Sequence, residues 1–312
     1  MSRLVRRNVT MLSRLHLELS QCTPDPMSGT LDAFAIAPQL VHLTLLGPTI
    51  FTASELLCLP WSQITHFRGS SMSMLTEAAN NYEFLHKMSS LKAFMDHRSF
   101  AADWNGLAAI DVPSLEVLSL FSLNRTASNI SLLLDHLNAV HLRDLRISTN
   151  PHTESLLRFT RRSAASLRSM TLALRDSDVS KTIELLECVP DLHTLLIYEG
   201  SFELIRCLGD YDPQRQAPRL LPKLHTLRIF GSQISHRAHE ALLLEIAESR
   251  VAPAPDLSSS ITQTNTGSNY LCVLELDVNI GIRQEALDAL GMYHSRGLKT
   301  HLSHAKYFFQ FN

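Results

Sequence analysis

One short pattern, apolar-x-x-apolar-x-apolar, recurs along the 312-residue chain at nearly constant spacing, and it limits what the chain can fold into more than any other feature. It appears at Leu12, Leu15, Leu17 and at Leu40, Leu43, Leu45, with degenerate copies at Ile64, Phe67 and at Leu91, Phe94. It returns at Leu115, Leu118, Leu120, at Leu142, Leu145, Ile147, at Leu167, Met170, Leu172 and at Leu192, Leu195, Ile197. The last two copies are Leu224, Leu227, Ile229 and Leu271, Leu274, Leu276. Successive copies begin 28, 24, 27, 24, 27, 25, 25, 32 and 47 residues apart.

A period near 26 residues with this consensus is the signature of leucine-rich repeats. Asn150 and Asn279 extend two copies to the asparagine position of that consensus. In a strand, alternate side chains leave opposite faces, so the second and third apolar residues of each copy point the same way. The stretches between copies suit helices: Ser128 to Val140, Ser180 to Val189 and His236 to Arg250 each carry apolar residues three and four apart. A lone strand and helix cannot bury their apolar faces, whereas stacked units share one core. The fold class expected is therefore α/β, a leucine-rich-repeat solenoid or horseshoe. It has about ten strand–helix repeats, a parallel concave sheet and a single domain over residues 1–312. Proline stands two residues before the first leucine at Pro38, Pro113, Pro190 and Pro222, where it ends a helix and lets the next strand begin.

Two long steps interrupt the period. Residues 251–268, rich in Pro, Ser, Thr, Asn and Gly, read as a disordered loop, and Asp210 to Pro218 reads as a longer surface loop. The aromatic end (Tyr307, Phe308, Phe309, Phe311) suits a cap on the last repeat.

Composition narrows the function. With 28 basic and 30 acidic residues and no long run of one sign, the chain lacks the clustered basic face that captures nucleic acid, so none is expected as a partner. No window of about 18 apolar residues suggests a membrane span, and the N-terminus lacks a signal-peptide core. The five scattered cysteines, Cys22, Cys58, Cys188, Cys207 and Cys272, form no Cys-x-x-Cys pair, which points to a reducing compartment, cytoplasmic or nuclear.

Chemistry-bearing motifs are sparse. His236 and His239 are three apart with Glu240 outside the pair, so they do not match the zinc-protease pattern of two histidines four apart around a glutamate. There is no Gly-x-Ser-x-Gly and no phosphate-cradling glycine loop. The expectation is a non-catalytic chain without metal or cofactor.

Binding is expected instead on the outward side of the strands, where three rows of residues alternate with the leucines. One row runs Arg14, His42, His66, Ala93, Val117, Asp144, a second His16, Thr44, Arg68, Met95, Ser119, Arg146, and a third ends in Tyr198, Phe230 and Asp277. Aromatic and arginine residues most often anchor interfaces. The candidate partner-binding residues are Tyr198, Phe230, Leu196, Arg228, Arg146 and Phe121, with Tyr198 and Phe230 the centre of an apolar patch rimmed by charge. On this reading, Tyr198→Ala with Phe230→Ala leaves folding intact and abolishes partner capture.

The runs Leu-Leu-Pro-Lys-Leu-His-Thr-Leu-Arg-Ile (220–229), Val-Pro-Asp-Leu-His-Thr-Leu-Leu-Ile (189–197) and Val-Pro-Ser-Leu-Glu-Val-Leu-Ser-Leu (112–120) resemble the leucine-rich-repeat region of fungal F-box proteins. That resemblance implies a substrate-recognition array of an F-box-type ubiquitin ligase receptor. The F-box itself is not present, because the first repeat already starts at Leu12, so a Skp-type adaptor is expected only if an F-box lies upstream of Met1. The alternative is a regulatory repeat protein like ribonuclease inhibitor, which covers a partner enzyme.

Overall fold

A computed structural model describes residues 9–18, 34–47, 57–70, 82–97, 109–121, 128–148, 153–173, 178–198, 200–214, 217–231, 236–251, 270–277 and 282–303. By internal contacts the chain divides into two compact units, Met1–Ser166 and Leu167–Asn312. The proposed loop lies, from residue 252 onward, outside the described residues, as does the aromatic end.

In the first unit the strands are β1 (Arg14–Glu18), β2 (His42–Leu46), β3 (His66–Ser70), β4 (Ala93–His97), β5 (Ile110–Asp111), β6 (Val117–Phe121), β7 (Leu137–Asn138) and β8 (Asp144–Ile147). The six longer ones form a parallel sheet in the order β1-β2-β3-β4-β6-β8, and β5 pairs separately with β7. Register is uniform: Leu15, Leu43, Phe67, Phe94, Leu118 and Leu145 lie side by side across the six strands. All six are buried. Each such side chain contributes about 1.5–3 kcal/mol when fully buried, so the inward ladder dominates the packing of this unit.

The two degenerate copies keep the register although Gly69 and Asp96 stand where the third leucine falls. Aromatic rings fill the space instead. Phe67 stacks on Phe94 at 5.5 Å, and Phe84, from a 3-10 turn over Tyr82–Lys87, packs 5.3 Å from Phe67. Longer helices begin at α1 (Ser128–His136) and α2 (Thr153–Ser163), joined where Arg158 forks onto Asp135. The helix expected over Ser128 to Val140 thus stops at His136, because Leu137 and Asn138 pair with Ile110 and Asp111.

The second unit contains β9 (Ser169–Ala173), β10 (Thr194–Tyr198), the short β11 (Tyr211–Asp212) and β12 (Ala217–Pro218), β13 (Thr226–Phe230), β14 (Val273–Asp277) and β15 (Lys299–Ser303). The long strands again run parallel, in the order β9-β10-β13-β14-β15. Helices α3 (Val179–Glu187), α4 (Phe202–Gly209), α5 (His236–Arg250) and α6 (Gln284–Gly291) connect them. Asp178 and Ser201 cap α3 and α4 by accepting from free amides of the first turn. The helices bury Leu185 and Leu186, Leu204 and Leu208, Ile246 and Ala247, and Leu290.

A uniform parallel ladder with one strand per copy is the leucine-rich-repeat arrangement. Three further details differ from the sequence reading. The prolines do not simply end helices: Leu40, Leu115, Leu192 and Leu224 each donate their amide to the residue three before, so Pro38, Pro113, Pro190 and Pro222 occupy the second position of a β-turn. The fixed φ of proline suits that position. Asp210 to Pro218 is a small antiparallel hairpin, β11 with β12, and not a structureless loop. The strand β15 follows the ten copies as an eleventh; Thr300 stands in it beside Leu274, which hid the pattern.

Candidate interaction surface

Strand alternation places Tyr198 beside Phe230 on neighbouring strands, and the rings do stack, with centroids 5.6 Å apart and planes inclined by 28°. The expectation that they face solvent is corrected. Tyr198 is 7% exposed, Phe230 0% and Leu196 6%, and the three form one buried cluster with Ala173 packed against it. Phe121, in the first unit, is also buried at 8%. Alternation fixes the side of the sheet from which a side chain leaves and says nothing about what lies over it. Rings that lie flat on each other remove their own faces from water, and the small Ala173, paired with Tyr198, leaves room for that packing. Burial pushes the Tyr198 hydroxyl well above its ordinary range; Glu275 and Asp277 add to the rise, and Arg228 opposes it.

The two arginines expected at the rim are engaged. Arg228 forms an ion pair with Glu275 at 3.0 Å across β13 and β14, and Arg146 donates through Nε to Asp144 at 2.9 Å within β8. Leu196, Tyr198, Phe230 and Arg228 are thus brought together in the second unit, whereas Phe121 and Arg146 belong to the first.

A surface that does face water lies on β1–β3. Outward positions there are Arg14, His16 and Glu18 on β1, His42, Thr44 and Leu46 on β2, and His66, Arg68 and Ser70 on β3. Arg14, His16, Glu18 and His66 are exposed, and the others are half-buried. Register aligns Arg14 with His42 and His66, and His16 with Thr44 and Arg68. The imidazoles of His42 and His66 stack at 4.3 Å with a 30° inclination. Thr65 shares its hydroxyl between the carbonyl of Val41, to which it donates at 3.2 Å, and Nδ1 of His66 at 2.8 Å. With its proton on Val41, Thr65 accepts from Nδ1–H and leaves Nε2 of His66 as the titrating nitrogen.

Both imidazoles are held below the ordinary histidine range. For His42 the causes are burial and then the Arg14 charge. For His66 they are burial, His42, Lys92 and Arg14, opposed by Glu116. Nε of Arg68 is buried without a hydrogen-bond acceptor. Among the described residues, the side-chain ion pairs of the first unit, Arg146 with Asp144 and Arg158 with Asp135 and Glu154, involve neither Arg14 nor Arg68. The rows read from sequence already contained these residues. The signal for singling them out was histidine at one position of two adjacent copies, which a parallel register turns into a stack.

Among the described residues no group of three His, Cys, Asp or Glu side chains could hold a metal, and no helix is long and apolar enough to cross a membrane. The side chains of His236 and His239 lie outside the described residues. Cys58, Cys188, Cys207 and Cys272 are free thiols.

No family model matches the chain, and no curated protein matches it. Among solved structures it is similar to the chain described as "Crystal structure of TLR13-ssRNA13 complex", at 12% identity and a TM-score of 0.36. The match covers 87% of this chain and 43% of that one, so the chain spans less than half the length of this structural neighbour. A likeness that weak adds nothing to the fold, which rests on the strand order and register above.

Proposed function

We propose that this chain is a non-catalytic protein-interaction module that holds its partner on the outward face of its parallel strands, in a reducing compartment, the cytoplasm or nucleus. One observation carries the reading. On β1–β3 the inward residues Leu15, Leu43 and Phe67 carry the core, while the outward residues, all but Leu46 polar or charged, are exposed or half-buried. Such a division gives a rigid surface whose side chains can change without unfolding the chain. Within this reading, a substrate receptor of an F-box-type ubiquitin ligase is the finer assignment, supported by the resemblance of residues 112–120, 189–197 and 220–229 to the repeat region of fungal F-box proteins.

Cross-linking mass spectrometry of the full chain with a co-purified protein tests the proposal. Cross-links concentrated on outward strand residues are expected, and cross-links confined to the helices would overturn it. A cullin and a Skp-type adaptor in the same preparation support the ligase assignment, while one stoichiometric enzyme supports a regulatory repeat protein.

A further inference from the structure

We propose that the open face of β1–β3 is a receptor for an acidic segment of a polypeptide, whose anionic side-chain oxygens lie among Arg14, His16, Arg68 and the stacked pair His42–His66. This rests on the protein-interaction reading and names the chemical class of the partner.

Geometry comes first. Neighbouring strands lie about 4.8 Å apart and alternate residues of one strand about 7 Å apart. The register that aligns Arg14, His42 and His66, and behind them His16, Thr44 and Arg68, therefore packs two arginines and three histidines into a patch about 10 Å by 7 Å. An extended peptide repeats same-side residues at about the same 7 Å, so two or three of its acidic side chains can engage the patch together.

Charge points the same way. Neither Arg14 nor Arg68 has a carboxylate partner among the described residues. Elsewhere on the outward face arginines do have one, as Arg146 has Asp144 and Arg228 has Glu275. An incoming carboxylate can accept hydrogen bonds from the guanidinium of Arg14, which is exposed. Thr44, between His16 and Arg68, adds a hydroxyl donor.

The patch is also bounded, which selects a peptide over a nucleic acid. Glu18 closes β1, and Glu116 and Lys92 precede β6 and β4, both acting on His66. A nucleic acid needs a longer cationic track and aromatic rings for its bases, and the outward positions of β1–β3 carry no Phe, Tyr or Trp.

The histidines make the site proton-linked. The groups facing them are Arg14 and His16 from β1, Arg68 from β3, and Lys92 and Glu116 from the segments leading into β4 and β6. In the free chain these surroundings keep both imidazoles neutral near pH 7. An anion beside them favours the imidazolium, so binding takes up protons and tightens as pH falls.

The test uses the full chain and a fluorescein-labelled decapeptide of alternating Asp and Glu, followed by fluorescence anisotropy at pH 6.0 and 7.5. The expected result is saturable binding, about fivefold to tenfold tighter at pH 6.0. Arg14→Glu should weaken it at least tenfold with unchanged thermal unfolding, since Arg14 is exposed. His42→Gln with His66→Gln should remove the pH dependence. A matching phosphoserine decapeptide is the competing anion: tighter binding of the Asp/Glu peptide is expected, and tighter binding of the phosphopeptide would overturn the assignment of a carboxylate-bearing segment. Absence of binding, indifference to Arg14→Glu, or tighter binding of a labelled decauridylate would overturn the inference. If a co-purified protein cross-links to the outward strands while neither decapeptide binds the wild-type chain, the interaction module stands and the acidic-segment site falls.

Discussion

Arg250, at the end of α5, donates through Nη1 to the carbonyl of Leu221 at 3.0 Å. Leu221 is the one described non-glycine residue with a positive φ, 52°. Nε and Nη2 of the same guanidinium reach the carbonyls of Leu208 and Leu220. The arginine is buried, at 2% exposure, and loss of water pushes its pKa down to about 10, so it remains charged at neutral pH. One cation thereby satisfies three carbonyls around the hairpin that interrupts the repeat and braces a backbone conformation leucine rarely adopts.

Arg250→Met is accordingly expected to destabilise the chain by about 2–4 kcal/mol, since it keeps much of the side-chain volume and orphans those carbonyls. Urea denaturation compared with wild type checks this. A loss under about 0.5 kcal/mol would mean that water replaces the guanidinium without cost.

The burial of Tyr198 and Phe230 changes what their truncation does. Tyr198→Ala with Phe230→Ala is expected to destabilise the chain by at least about 3 kcal/mol, because large buried aromatic residues leave cavities. Loss of partner capture by that variant would then report unfolding. Circular dichroism melting of the double variant decides the matter, and an unchanged melting temperature would restore the surface reading.

Acid should weaken the fold through the stacked histidines. Folded-state pKa values of His42 and His66 lie below the ordinary 6.5, so the unfolded chain binds more protons in the window just under that value. Stability is therefore fully present above pH 7 and is lost as pH falls below about 6.5. His193, lowered by burial and by His225, acts in the same direction in the second unit. Urea midpoints from pH 7.5 to 5.0 should drop for wild type and drop less for His42→Gln with His66→Gln. Equal slopes would remove these two residues from the linkage.

Helices α5 and α6 are clipped by Glu240, which accepts from Nε of Arg283 at 2.8 Å and from its backbone amide at 2.9 Å. Glu240 is buried at 4% while its partner is half-exposed. Glu240→Gln is expected to cost about 1–3 kcal/mol, measurable by thermal melting, because the amide cannot accept the same fork of charged donors. Arg283→Lys, which keeps the charge and loses the fork, should cost less.

The strands were legible in sequence because each copy places its leucines at the same phase, and phase alone fixes register once neighbours run parallel. Helix ends were less legible: Leu137 belongs to a strand pair with Ile110, a contact 27 residues distant that local periodicity does not carry. The last strand escaped because Thr300 and the exposed Leu302 break the inward pattern at a sheet edge. At the candidate site the pairing of Tyr198 with Phe230 and the charge beside them were readable, and their burial was not. Burial depends on what covers a face, which alternation does not encode. The His42–His66 stack lay in plain view as one column of two adjacent copies, and hydrophobic pattern-matching passes over it.

The central claim is that successive copies stand side by side as in-register parallel strands. In a chain with its five native cysteines replaced by serine, Thr194→Cys with Thr226→Cys places two thiols on paired positions, within the Cα separation that a disulfide requires. A control, Thr194→Cys with Arg228→Cys, moves the second thiol two residues along the strand. Rapid oxidation of the first pair and little of the second is the predicted result. Equal rates, or cross-linking of the control alone, would contradict the register and with it the stacked-repeat fold.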